Sequence, residues 1–80
     1  MIKIKKFINE TFCEEQCLYD LTNDKVLLKG DYYHDKIDES IEGFVYAMEH
    51  FNIEHEYEED ELIGTDNCMF EKIGFANEED

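Results

Sequence analysis

The stretch Ile37-Asp38-Glu39-Ser40-Ile41-Glu42-Gly43-Phe44-Val45-Tyr46-Ala47-Met48-Glu49-His50-Phe51, continued through Asn52 by Ile53-Glu54-His55-Glu56-Tyr57-Glu58, decides the fold. In its first part Ile37, Ile41, Phe44, Val45, Met48 and Phe51 fall at i, i+4, i+7, i+8, i+11 and i+14. At about 100° per residue these side chains share one stripe, and the spacing predicts an amphipathic helix over roughly 33–51. Asp31 or Asp35 is placed to cap its start, and Asp38 sits in the first turn, where the helix dipole favours an anion. Asn52 suits the other end. Beyond Asn52 the period changes to two. Ile53, His55 and Tyr57 point one way and Glu54, Glu56 and Glu58 the other, which predicts a strand with one wet face.

Upstream, Ile2, Ile4 and Ile8 alternate with Lys3 and Lys5, a second strand pattern. Residues 16–21 and 25–29 flank Thr22-Asn23-Asp24, whose side chains bond their own backbone in turns, so this region reads as a hairpin. Downstream, residues 59–67 read as a loop and residues 68–75 as a last strand. The expected order is β-β-β-α-β-β, an α+β domain with one helix packed on a mainly antiparallel sheet. Residues 1–75 form the domain and residues 76–80 an acidic tail. The expected core is Ile2, Ile4, Val26, Leu28, Ile37, Ile41, Phe44, Val45, Met48, Phe51, Ile53 and one face of residues 68–75.

A chain of 80 residues supports one small core, burying about 60–65% of its unfolded surface. Its basic residues are seven lysines and no arginine, against 22 acids, for a net charge of −15. That balance excludes direct nucleic-acid binding by phosphate neutralisation and disfavours an anionic membrane surface. No apolar run suits a signal peptide or a membrane span. An odd set of cysteines (Cys13, Cys17 and Cys68) reads as reduced thiols in a cytoplasm.

The charge is unevenly placed. Residues 1–30 carry five lysines and five acids, so the whole −15 lies in residues 31–80. There the acids form rows. On the predicted helix Asp35, Asp38, Glu42 and Glu49 follow at +3, +4 and +7 and line one flank. On the strand Glu54, Glu56 and Glu58 recur roughly every 6.6 Å, and Glu59, Asp60 and Glu61 continue the run. Rows of like charge weaken the compact state. Solvation is one use for them. Halophilic adaptation fits poorly, because the first thirty residues are neutral. A third use is imitation of a nucleic-acid backbone, whose target supplies the basic residues this chain lacks.

A small acidic α+β chain with carboxylate rows resembles the DNA-mimic inhibitors of phages and mobile elements, among them anti-CRISPR proteins, anti-restriction proteins and inhibitors of uracil-DNA glycosylase. The segment from Lys25 through Gly30-Asp31-Tyr32-Tyr33-His34 to Ile37, followed by Ile41-Glu42-Gly43-Phe44, is also similar to small phage proteins of low-GC Gram-positive bacteria. The resemblance implies a non-enzymatic inhibitor that occludes the polymer site of a basic host nucleic-acid-binding protein, with an RNA-guided nuclease as the first target. These inhibitors share no motif, so no residue role is carried over. The expected contact residues are Asp35, Asp38, Glu42, Glu49, Glu54, Glu56, Glu58, Glu59, Asp60 and Glu61. No cofactor is expected.

Other constellations compete. Asp31, His34, Asp35 and Asp38 have the spacing to share a helix face and hold a divalent ion, although acids in a first turn need no ligand. Cys13, Cys17 and Cys68 with a histidine match a zinc set in type but lack a second close pair. Ser40, Gly43 and Ala47 share the other flank of the helix, as a packing seam or a partner surface. Tyr32, Tyr33, Tyr46 and Tyr57 interleave with the acids as interface residues do. The alternative function is a small adaptor or antitoxin-like module that binds through these apolar and small-residue surfaces.

Overall fold

The first strand, β1 (Ile2–Asn9), supplies both faces of the sheet at once, and everything else packs around it. In the computed structural model, which describes residues 1–65 and 68–76, it is followed by β2 (Glu15–Asp20), β3 (Lys25–Asp31), α1 (Ile37–His50), β4 (His55–Leu62) and α2 (Cys68–Ile73). The sheet order is β3-β2-β1-β4. β2 pairs antiparallel with both β1 and β3, whereas β4 runs parallel to β1 with Tyr57 opposite Ile4. A parallel pair needs a crossover. Here α1 provides it, carrying the chain from the β3 edge to the β4 edge. The α+β class and the mainly antiparallel sheet agree with the sequence reading.

Two cores result, one on each face. Ile37, Ile41 and Met48 of α1 pack on Ile4 and Leu18 of the sheet, with Ile2, Leu28, Phe44, Val45 and Tyr57 packed against them. Phe7, Cys17, Tyr19 and Leu62 line the other face and are covered by Phe70, Ile73 and Phe75. Asn9, fully buried, fastens that second layer. Its amide donates to the Ala76 carbonyl (2.9 Å) and its carbonyl accepts the Thr11 amide (2.9 Å).

The second layer corrects the last predicted strand: residues 68–73 are helical. In Cys68-Met69-Phe70-Glu71-Lys72-Ile73 the residues Met69, Phe70 and Ile73 stand at i, i+1 and i+4, with two charges between. That is helical rather than alternating spacing. Gly74, at φ 81°, ends the turn in a conformation glycine adopts without strain. Ala76, placed by the sequence reading in the tail, is held by Asn9 and by the Glu15 carboxylate (3.0 Å). Residues 77–80 of that tail lie outside the described residues.

The principal helix begins later than its periodicity suggests, at Ile37 rather than near 33. Asp31 accepts the amides of Tyr33 (2.7 Å) and His34 (2.9 Å), and these local bonds compete with helix. Neither Asp31 nor Asp35 caps α1; Lys36, left-handed at φ 51°, precedes it without a side-chain cap. The far end closes as expected. Asn52 is left-handed at φ 55°, with its amide on Glu49 and that of Ile53 on Met48, the reciprocal pattern of a Schellman turn. Beyond that turn the stripe no longer faces the core. Phe51 is 71% exposed, and Val26 and Ile53 are also exposed, so these three leave the predicted core. No helix among the described residues is long and apolar enough to cross a membrane.

Candidate functional site: the acidic edge of the sheet

β4 is an edge strand, and its hydrogen-bond phase can be read from its ends. The Ile2 amide donates to the Glu54 carbonyl (3.2 Å) and the Glu10 amide to the Leu62 carbonyl (2.9 Å). In a parallel ladder the bonded residues recur at every second position. Residues 54, 56, 58, 60 and 62 therefore face β1, and the amides and carbonyls of His55, Tyr57, Glu59 and Glu61 point outward. The Glu61 amide accordingly finds the Asp60 carboxylate (2.9 Å) instead of β1.

Side chains alternate across the same strand. Tyr57, opposite Ile4, packs on the α1 side, which places His55, Glu59 and Glu61 there too. Leu62 lies in the opposite core, and Glu56, Glu58 and Asp60 share its side. The strand row Glu56 and Glu58 and the helix row are thus on opposite faces of the sheet. They do not form one flat surface; they flank one edge.

The helix row meets β4 through Tyr57. Glu42, Val45, Tyr46 and Glu49 of α1 and Tyr57 and Glu59 of β4 line a groove of about 270 Å³. The Tyr57 hydroxyl donates to Glu59 (3.1 Å). Burial, then that bond, then the carboxylates of Glu59, Asp38 and Glu42 raise the Tyr57 phenol well above its ordinary range. One phenol feels the carboxylates of both elements.

The lysines of β1 divide the acids into two groups. Lys5 lies 3.6 Å from Glu58 and 3.5 Å from Asp60, and Lys6 lies 2.6 Å from Asp38. Among the described residues Glu42, Glu49, Glu54, Glu56, Glu59 and Glu61 have no lysine within 4.0 Å. Asp35 leaves the predicted row altogether. It lies before α1, and its carboxylate accepts the Asp31 amide (2.7 Å). A β-carbon on Gly30 would stand 2.8 Å from that of Asp35, so glycine lets the loop close onto β3.

The competing constellations separate as well. Asp31 and Asp35 bond to backbone amides, and among the described residues no three of His, Cys, Asp and Glu gather into a metal-holding group. Cys17 is buried beneath α2, and that burial pushes its thiol up to about 12, against a smaller opposing effect of Lys29. Ser40, Gly43 and Ala47 are exposed rather than packed on the sheet, with open space where a Gly43 β-carbon would go. Val45, assigned to the core by its spacing, also walls the groove; only the position of β4 reveals that. No protein family, curated protein or solved structure matches the chain.

Proposed function

We propose that the protein is a non-enzymatic inhibitor that presents the β4 edge to the basic groove of a nucleic-acid-processing protein of its host's cytoplasm and keeps the polymer out. An RNA-guided nuclease or another defence protein is the first target class. The observation that supports this reading is the charge density along β4. Five of the six residues from 56 to 61 are acids. At about 3.3 Å per residue, this approaches the roughly 3.4 Å axial rise per phosphate of one DNA strand. Because the acids lie on both sides of the edge, the protein enters a groove edge-first, as a ridge. Glu42 and Glu49 widen the ridge on the α1 side, while Lys6 holds Asp38 against the fold and Lys5 pairs with the exposed Glu58 and Asp60.

The test is capture of the target on immobilised protein, repeated with Glu54, Glu56 and Glu59 reversed to lysine. Mimicry predicts that a DNA- or RNA-binding protein is retained, released by salt or competing duplex, and lost on charge reversal. Capture that survives both salt and reversal refutes it. A second reading rests on the exposed Tyr46, Phe51 and Ile53 beside Ser40, Gly43 and Ala47. An adaptor binding there holds its partner through high salt and loses it on Phe51→Ser.

A further inference from the structure

Edge strands are templates for another chain, and charge is one way natural proteins restrict what pairs with them. β4 offers the outward amides and carbonyls of His55, Tyr57 and Glu59 in a row. A second copy of β4 cannot use them, since it would set its own acids against these. We infer that β4 takes an extended, arginine- or lysine-bearing segment of the partner as a fifth strand, with one cationic side chain seated in the groove between α1 and β4. This rests on the reading above and names how the acidic edge engages its target.

Two independent features carry the inference. The first is the backbone phase, which among the described residues leaves His55, Tyr57 and Glu59 of β4 free to pair. The second is the groove beside it. A residue paired opposite Tyr57 or Glu59 projects its side chain to the same face of the sheet, above Val45, Tyr46 and Tyr57. The stem of an arginine or lysine covers apolar and aromatic surface there while its head reaches Glu42, Glu49 and Glu59. These three acids have no lysine of their own within 4.0 Å among the described residues. On the opposite face Lys5 already occupies Glu58 and Asp60. The α1 side is therefore the side with room for a foreign cation. Strand addition gives affinity through the main chain and specificity through alternate side chains.

The probe is a capped peptide of alternating threonine and arginine, with two isomers N-methylated on either the threonine or the arginine residues. Only one set of amides faces β4 in a paired strand. One isomer is therefore expected to bind about tenfold or more weakly than the other, the loss of one or two hydrogen bonds. The unmethylated peptide is expected to shift the amide resonances of His55, Tyr57 and Glu59 and slow their hydrogen exchange. Glu42→Gln with Glu49→Gln is expected to weaken it about tenfold without changing the preference between isomers. Equal binding of the isomers, shifts spread over the acids without protection of those amides, or no binding at all overturns the inference. Target capture by the acids with these amides unprotected leaves mimicry standing and strand addition refuted. Discrimination between isomers with no nucleic-acid-binding target captured supports strand addition and refutes mimicry.

Discussion

Asp38 belongs to the acidic row by sequence and to a partly buried ion pair by structure, and one substitution separates these roles. Lys6, 8% exposed, has its ammonium 2.6 Å from the Asp38 carboxylate. Its side chain is 10% exposed and that of Asp38 33%. Removing one partner of a fully buried pair costs about 3–5 kcal/mol, and of an exposed pair about 0–1 kcal/mol. With one group nearly buried and the other one-third exposed, Asp38→Asn is expected to cost about 2 kcal/mol. Domains of this size have roughly 4–12 kcal/mol in all, so the melting temperature should fall by about 8–16 °C. Urea unfolding followed by circular dichroism measures the loss. Lys6→Met is the necessary companion. It removes the charge that suffers from burial and leaves a carboxylate that can reach water, so it should cost about 1 kcal/mol or less. The double variant should resemble Lys6→Met, because the stranded ammonium is gone. A cost for Asp38→Asn below about 0.5 kcal/mol, or strict additivity in the double variant, refutes this account and returns Asp38 to the solvent-facing row.

Three further outcomes test other parts of the fold. Phe70→Ala, at a side chain 3% exposed, should cost about 3–5 kcal/mol in urea unfolding; a cost under about 1 kcal/mol would mean that α2 does not cover the second core. Gly30→Ala should cost about 1–3 kcal/mol by driving a β-carbon into Asp35, and loss of the Asp31 amide's hydrogen-exchange protection should accompany it. The Tyr19 hydroxyl donates to the Asp24 carboxylate, and that bond, with burial, holds its phenol up at about 12. Because the folded value is raised above the ordinary value of about 10, its stabilisation is full below pH 10 and is lost as pH rises towards 12. Ultraviolet phenolate titration should show Asp24→Asn lowering that value, and an unchanged titration would refute the bond.

The period of 3.6 over Ile37–Met48 and the alternation around Tyr57 were legible because each records one buried face, although the strand starts at His55 rather than Ile53 and continues to Leu62 through residues that read as loop. The Thr22-Asn23-Asp24 turn was legible for a local reason: Asp20 accepts the amides of Thr22 and Asn23, and Asp24 takes a left-handed conformation. What escaped sequence reading depends on pairing between distant segments. Phe7, Cys17 and Tyr19 are buried because α2 returns to cover them, and nothing within β1 or β2 announces that return. The parallel pairing of β4 with β1 was equally invisible, since alternation gives a strand its faces and not its neighbour. Phe51 and Ile53 continue the apolar pattern through the Schellman turn, where the chain changes direction.

The same distinction governs the acids. Sequence places them in rows and gives no account of what each row faces. The structure puts β1 beside β4, and two of the lysines that make residues 1–30 neutral on paper, Lys5 and Lys6, become partners of particular carboxylates in the other half. An acid held by Lys5 or Lys6 has less to gain from a foreign cation, because binding there must first break an existing pair. An acid without such a partner gains the whole interaction. Under the proposed function, affinity for a basic target should therefore concentrate on Glu42, Glu49 and Glu59 around the groove, with Glu54, Glu56 and Glu61 along the edge. Asp35, bonded to the Asp31 amide, and Asp38, bonded to Lys6, carry the same formal charge and serve the fold; Glu58 and Asp60 remain exposed on the edge but share Lys5. A charge-reversal scan weighted by formal charge would treat these two groups alike; the geometry of β1 against β4 says they differ.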